Sequence, residues 1–185
     1  MDRYYTMEIA GVSRDLPLCK LNDSMYIAGF IMFGDVELTV KSAEALLKLA
    51  PEYDVLVTAE AKGIPLLYEM ARQSGNNYYV IARKAPKLYM RDILKVDVDS
   101  ITTEHKQTLY LDGSDVDKIK GKRILIVDDV ISTGNSLKAI ETLIEKAGGN
   151  IVGKMTVLAE GDAIGREDIT YLAPLPLFDS EGNPL

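Results

Sequence analysis

Ile124-Leu125-Ile126-Val127 are four apolar residues in a row, and Asp128 and Asp129 follow at once. A run with no polar side has no face to give to water. It suits a strand covered on both faces, as in a parallel sheet between helices, better than a half-exposed strand, which would alternate. The chain supplies the other parts of such a sheet. Val55 to Ala59, Tyr78 to Ala82 and Ile151 to Leu158 read as further apolar strands, and helical spacing marks Val36 to Ala50, Ile64 to Ser74 and Ser136 to Ala147. Asp35 is positioned to cap the first helix and Pro51 to stop it, while Gly148-Gly149 ends the last. Strand and helix in turn predict an α/β fold, a doubly wound parallel sheet flanked by helices.

Two stretches depart from that rhythm. Arg3 to Ala10 and Met25 to Met32 read as strands separated by the turn residues Leu21-Asn22-Asp23-Ser24. Between Arg83 and Gly121 the chain is first charged and polar, then alternates at Ile93 to Val98 and Thr108 to Leu111. This predicts a flexible loop and a small antiparallel flap at about residues 84–111, with the segment from Ala85 to Lys106 serving as a lid. No repeat, low-complexity tract or linker divides the sequence, so 1–185 reads as a single domain.

Composition limits what such a domain does. With 21 Lys and Arg against 28 Asp and Glu the formal charge is −7, a field that disfavours nucleic acid and anionic membrane. Any phosphate ligand must therefore be held by a local site. One cysteine, Cys19, and one histidine, His105, make neither an internal disulfide nor a zinc cage, which fits a reducing compartment. Charges interrupt the first 30 residues, no signal peptide is expected, and no stretch approaches the ~20 apolar residues of a spanning helix. The expectation is a soluble, cytoplasmic protein.

The chemistry is concentrated after the Ile124 strand. Ligands of open α/β sheets bind where strands emerge at their carboxyl ends, and there Asp128 and Asp129 are followed by Val130-Ile131 and then Ser132-Thr133-Gly134-Asn135-Ser136. Five small polar residues before a helix exceed what one cap needs. They offer hydroxyls and backbone N–H donors at a helix amino terminus, a place for a phosphate. The two acids stand too near such an anion to ligate it, and suit sugar hydroxyls, a cation or developing positive charge. A receiver domain also ends a strand in paired acids, but there the strand comes first in the domain; here it comes late.

These residues resemble the phosphoribosyl pyrophosphate (PRPP) signature of the type I phosphoribosyltransferases, and the likeness runs from about Glu8 to Phe178. Glu60-Ala61-Lys62-Gly63 is similar to the family's pyrophosphate loop, and Arg83-Lys84 with Lys87 to a basic group of its adenine branch. Gly11-Val12-Ser13-Arg14-Asp15 resembles that branch's base-binding segment. Gly165-Arg166-Glu167 and Ala173 to Phe178 resemble its carboxyl end.

The resemblance implies transfer of ribose 5-phosphate from PRPP to a purine base, releasing pyrophosphate, with Mg²⁺ held mainly through PRPP rather than by a protein metal site. Ser132, Thr133, Gly134, Asn135 and Ser136 would bind the 5-phosphate. Asp128 and Asp129 would hold the ribose and stabilise its cationic transition state, with Glu104 as acid or base. Glu60, Ala61, Lys62, Gly63, Arg83, Lys84 and Lys87 would serve pyrophosphate, and Val12, Ser13 and Arg14 the base. A homodimer follows from the resemblance alone. Ser13 replaces an aromatic of the adenine branch and Gly161 lies near a leucine of it, so xanthine or hypoxanthine stays open beside adenine. A PRPP- or nucleotide-binding regulatory protein is the alternative from another class.

Overall fold

A computed structural model describes residues 3–98 and 107–185. In chain order its strands and helices are β1 (Tyr4–Ile9), β2 (Val12–Lys20), β3 (Met25–Ala28), α1 (Val36–Leu49), β4 (Val55–Ala59), α2 (Ile64–Ser74), β5 (Val80–Ala82), β6 (Leu94–Val98), β7 (Gln107–Leu111), α3 (Gly113–Ile119), β8 (Arg123–Ile131), α4 (Asn135–Lys146), β9 (Asn150–Glu160), β10 (Thr170–Leu175) and β11 (Phe178–Asp179). Five strands form a parallel sheet in the order β10-β9-β8-β4-β5. The expected doubly wound α/β architecture is present, joined by a four-stranded antiparallel sheet, β1-β2-β3-β11, and a β6-β7 ribbon.

The continuous apolar runs are explained by burial on two faces. Leu125 and Val127 point into a core shared with Leu38 and Leu46 of α1 and Leu66 and Met70 of α2. Their neighbours Ile124 and Ile126 point the other way, into a core with Ile140, Leu143 and Ile144 of α4. Each buried aliphatic side chain of this size contributes roughly 1.5–3 kcal/mol, so the sheet centre anchors everything at its edge.

Asp35 does cap α1, its Oδ1 accepting from the Leu38 N–H at 3.0 Å. Elsewhere the structure corrects the reading. β8 does not stop at Val127 but continues through both aspartates to Ile131, because β9 pairs with it as far as Ala159. β3 ends at Ala28 rather than Met32: the Gly29 N–H reaches the carbonyl of Pro17, which has no N–H to return. β2 was not expected as a strand, since its charged and exposed residues mask the buried positions Val12 and Leu16. The β6-β7 ribbon is anchored, with Val96, Leu109 and Leu111 buried against α4. Among the described residues no helix is long and apolar enough to cross a membrane.

Candidate functional site

Two strand-to-helix turns meet at the carboxyl edge of the parallel sheet around a cavity of about 230 Å³. Ala59 to Lys62 and Lys84 line one side, Asp128 and Asp129 the middle, and Ser132 to Leu137 the other side. The acids reach this cavity because β8 outruns β4. Pairing with β4 ends at Ile126, whereas pairing with β9 continues to Ile131.

Asp129 is 3% exposed, and its Oδ2 lies 2.8 Å from Lys62 Nζ. Asp128 is partly buried, and its Oδ1 accepts the Asp129 N–H at 2.9 Å. Burial, and after it the charge of Asp129, pushes the Asp128 carboxyl well above the ordinary carboxylate range. Two acids this close repel one another, so a ligand with hydroxyl donors or positive charge relieves them.

The turn between β4 and α2 is crowded. A Cβ on Gly63 would overlap Thr58 Oγ1 and come within 3.2 Å of Asp128 Oδ1. Sequence reasoning placed this glycine in the pyrophosphate loop; close packing on the buried Thr58 requires it as well. The Glu60–Ala61 peptide bond is cis. Glu60 is a hub: the Lys84 N–H donates to its Oε2 at 3.1 Å, Arg83 Nη1 to its Oε1 at 3.2 Å, and Lys87 Nζ lies 3.8 Å away. The Lys84 N–H, followed by the charges of Lys87 and Arg83, holds the Glu60 carboxyl below its usual range. Glu60 thus gathers Arg83 and Lys87, two of the four cations that sequence reasoning assigned to pyrophosphate, while Lys62 goes to Asp129.

The turn between β8 and α4 is different. The Thr133 N–H donates to Ser132 Oγ at 2.7 Å, and Gly134 turns the chain at φ +80°, a conformation that favours glycine. The cap residue of α4 is Gly134, which has no side chain to accept from the helix end as Asp35 does at α1, and Asn135, Ser136 and Leu137 bring that end to the cavity. Backbone donors and the positive end of the helix dipole suit an anion there.

The base-binding candidates do not line this cavity. Val12 is buried in the core, Ser13 is exposed, and Arg14 donates to Asp35 at 2.6 and 3.0 Å and to Glu37 at 2.9 Å. Glu104 and His105 lie outside the described residues. Two residues that sequence reasoning gave no role stand at the same edge. Glu160, the last residue of β9, has its carboxyl pushed up by burial, opposed by the charge of Lys62. Arg166 packs against Gly134. An acid ending an apolar strand was the available signal for Glu160, whereas nothing local in the sequence points Arg166 at a turn some thirty residues earlier.

The phosphoribosyl transferase domain matches residues 38–173. The hypoxanthine/guanine phosphoribosyltransferase of Methanothermococcus okinawensis is 37% identical over 161 residues, which is 84% of this chain and 82% of that protein. The adenine phosphoribosyltransferase of Rhodococcus jostii is 34% identical over 137 residues, 74% of each chain. The crystal structure of adenine phosphoribosyltransferase from Rhodothermus marinus superposes with a TM-score of 0.64 at 27% identity, over 78% of this chain and 83% of that one. The domain match, which covers well over half of the chain, and the identity to these relatives assign this chain to the phosphoribosyltransferase family, enzymes that transfer a pentosyl group.

Proposed function

We propose that the protein is a purine phosphoribosyltransferase of salvage metabolism, moving ribose 5-phosphate from PRPP to a ring nitrogen of a purine. The bond between the anomeric carbon and pyrophosphate breaks, a bond to nitrogen forms, the base loses a proton, and pyrophosphate leaves. One observation carries the reading: a single cavity joins the neutral Ser132 to Ser136 turn to the basic Lys62 and Lys84 edge, with Asp128 and Asp129 between. A sugar phosphate seated in the turn would present its anomeric carbon to the acids and its pyrophosphate to the lysines.

Asp128 and Asp129 would hold the ribose hydroxyls and favour positive charge on the sugar, an interaction stronger in the transition state than in the ground state. Lys62 would shift from Asp129 to the departing pyrophosphate. Mg²⁺ fits through the substrate: with Asp129 matched by Lys62, the pair leaves uncompensated negative charge on Asp128 when ionised, next to where pyrophosphate and ribose oxygens would ligate a hard cation. When bound, the ion would offset charge on the leaving group. A cytoplasmic homodimer belongs with this reading.

Adenine is the first choice of base, supported by the fold similarity to adenine phosphoribosyltransferases. A 6-oxopurine is the second, supported by the 37% identity to a hypoxanthine/guanine enzyme. Labelled PRPP offered with Mg²⁺ and adenine, hypoxanthine, guanine or xanthine in turn tests the proposal. Pyrophosphate release with one purine is expected. PRPP binding without release for any base would favour a regulatory binding protein.

A further inference from the structure

We infer that Arg166, reaching across from the β9–β10 connection, is a ligand of the sugar's 5-phosphate. The inference rests on the proposed PRPP site and deepens it. The two ends of the cavity differ in charge: Lys62 and Lys84 line one, whereas Ile131 to Leu137 line the other without a single ionisable side chain. A phosphoryl group entering a chain of formal charge −7 gains from a cation at that neutral end.

Arg166 is placed to supply it. A Cβ built on Gly134 would lie 2.6 Å from Arg166 Nη1, so a guanidinium edge rests on the turn itself. The other nitrogens are engaged: Nε donates to Asp168 Oδ1 at 2.9 Å and Nη2 to Asp168 Oδ2 at 2.7 Å. This bidentate clamp fixes the guanidinium plane and sends Nη1 toward the turn. Asp168 is itself held by Lys154 Nζ at 2.5 Å, and Lys154 reaches Glu141 of α4 at 2.8 Å. The guanidinium is thereby tied to the helix whose amino end forms the turn. Arg166 and then Lys154 keep the Asp168 carboxyl ionised far below its usual range. The Arg166 side chain is 32% exposed and stands beside Gly134, just outside the residues that line the cavity.

The test separates phosphate binding from simple bracing of the loop. Ribose 5-phosphate and magnesium pyrophosphate are titrated separately into the wild-type chain, Arg166→Gln and Arg166→Lys, with thermal midpoints recorded. Removing one charge-assisted hydrogen bond to phosphate should weaken ribose 5-phosphate on the order of tenfold in Arg166→Gln, with recovery of part of that loss in Arg166→Lys. Pyrophosphate affinity should hold within about twofold, because its subsite lies at the other end. Unchanged ribose 5-phosphate affinity, or equal loss of both ligands, overturns the role of Arg166 and leaves the PRPP site standing. Should Arg166→Gln fail to fold, Arg166→Lys decides: full wild-type affinity at high and low salt overturns the inference. Failure of the wild-type chain to bind ribose 5-phosphate overturns both.

Discussion

The turns after β4 and β8 occupy equivalent places, adjacent at the carboxyl edge of one parallel sheet, yet they are built on opposite principles. The β4 turn is charged and internally neutralised, with Lys62 on Asp129 and the cations Arg83 and Lys87 around Glu60. The β8 turn is uncharged and depends on backbone, with Gly134 at φ +80° and the amino end of α4. A turn that binds through backbone donors is ready before the ligand arrives. A turn that binds through paired charges must break an ion pair when the ligand arrives and re-form it when the ligand leaves, which suits a leaving group. On the proposed reading, the 5-phosphate, which stays with the product, belongs at the β8 turn, and the departing pyrophosphate at the β4 turn.

Variants can break that contrast. The largest effect is expected between the turns: Asp129→Asn should lower turnover about a thousandfold with the fold retained, as removal of a charge aimed at a developing cation does. Steady-state rates with circular dichroism check it, and near-normal turnover would remove Asp129 from the chemistry. Next comes a crossed pair. Lys62→Met should weaken magnesium pyrophosphate about tenfold and spare ribose 5-phosphate, whereas Gly134→Ala should do the reverse, since the added methyl meets both an unfavourable φ and Arg166. Calorimetric titration of both ligands into both variants reads the crossing, and identical profiles would erase the distinction.

Gly63→Ala tests packing in place of binding. Its Cβ would collide with Thr58, which is fully buried, so a stability loss of about 1–3 kcal/mol is expected in denaturant unfolding. The smallest effect concerns pH. Burial and Asp129 push the Asp128 carboxyl up to about 7, so the folded chain keeps a proton that the unfolded chain releases. Stability from this group is therefore full below about pH 4, the unfolded value, and is lost as pH rises toward the folded value. Asp128→Asn should match wild type in thermal midpoint at pH 4 and exceed it by a few degrees at pH 8. A constant difference across that range would contradict the burial argument.

The sequence exposed the parallel sheet well because strands buried on both faces must be apolar at every position. The bounds of Val55–Ala59 and Ile64–Ser74 are therefore those expected. It concealed β2, where Arg14, Asp15 and Pro17 stand in a strand, and α3, seven residues beginning Gly-Ser-Asp. It also hid the length of β8, since Asp128 and Asp129 interrupt the apolar run and the pairing that carries the strand on to Ile131 is made with β9, beyond the intervening helix. The same limit applied to the site. Local motifs revealed the two turns, but the Lys62–Asp129 pair and the approach of Arg166 to Gly134 are long-range contacts that only the fold brings together.

The account is tested most directly by a crystal structure with a purine nucleoside monophosphate bound. The phosphate should lie in the Ser132 to Ser136 turn with the ribose hydroxyls on Asp128 and Asp129. A nucleotide bound elsewhere, with that turn empty, would contradict it.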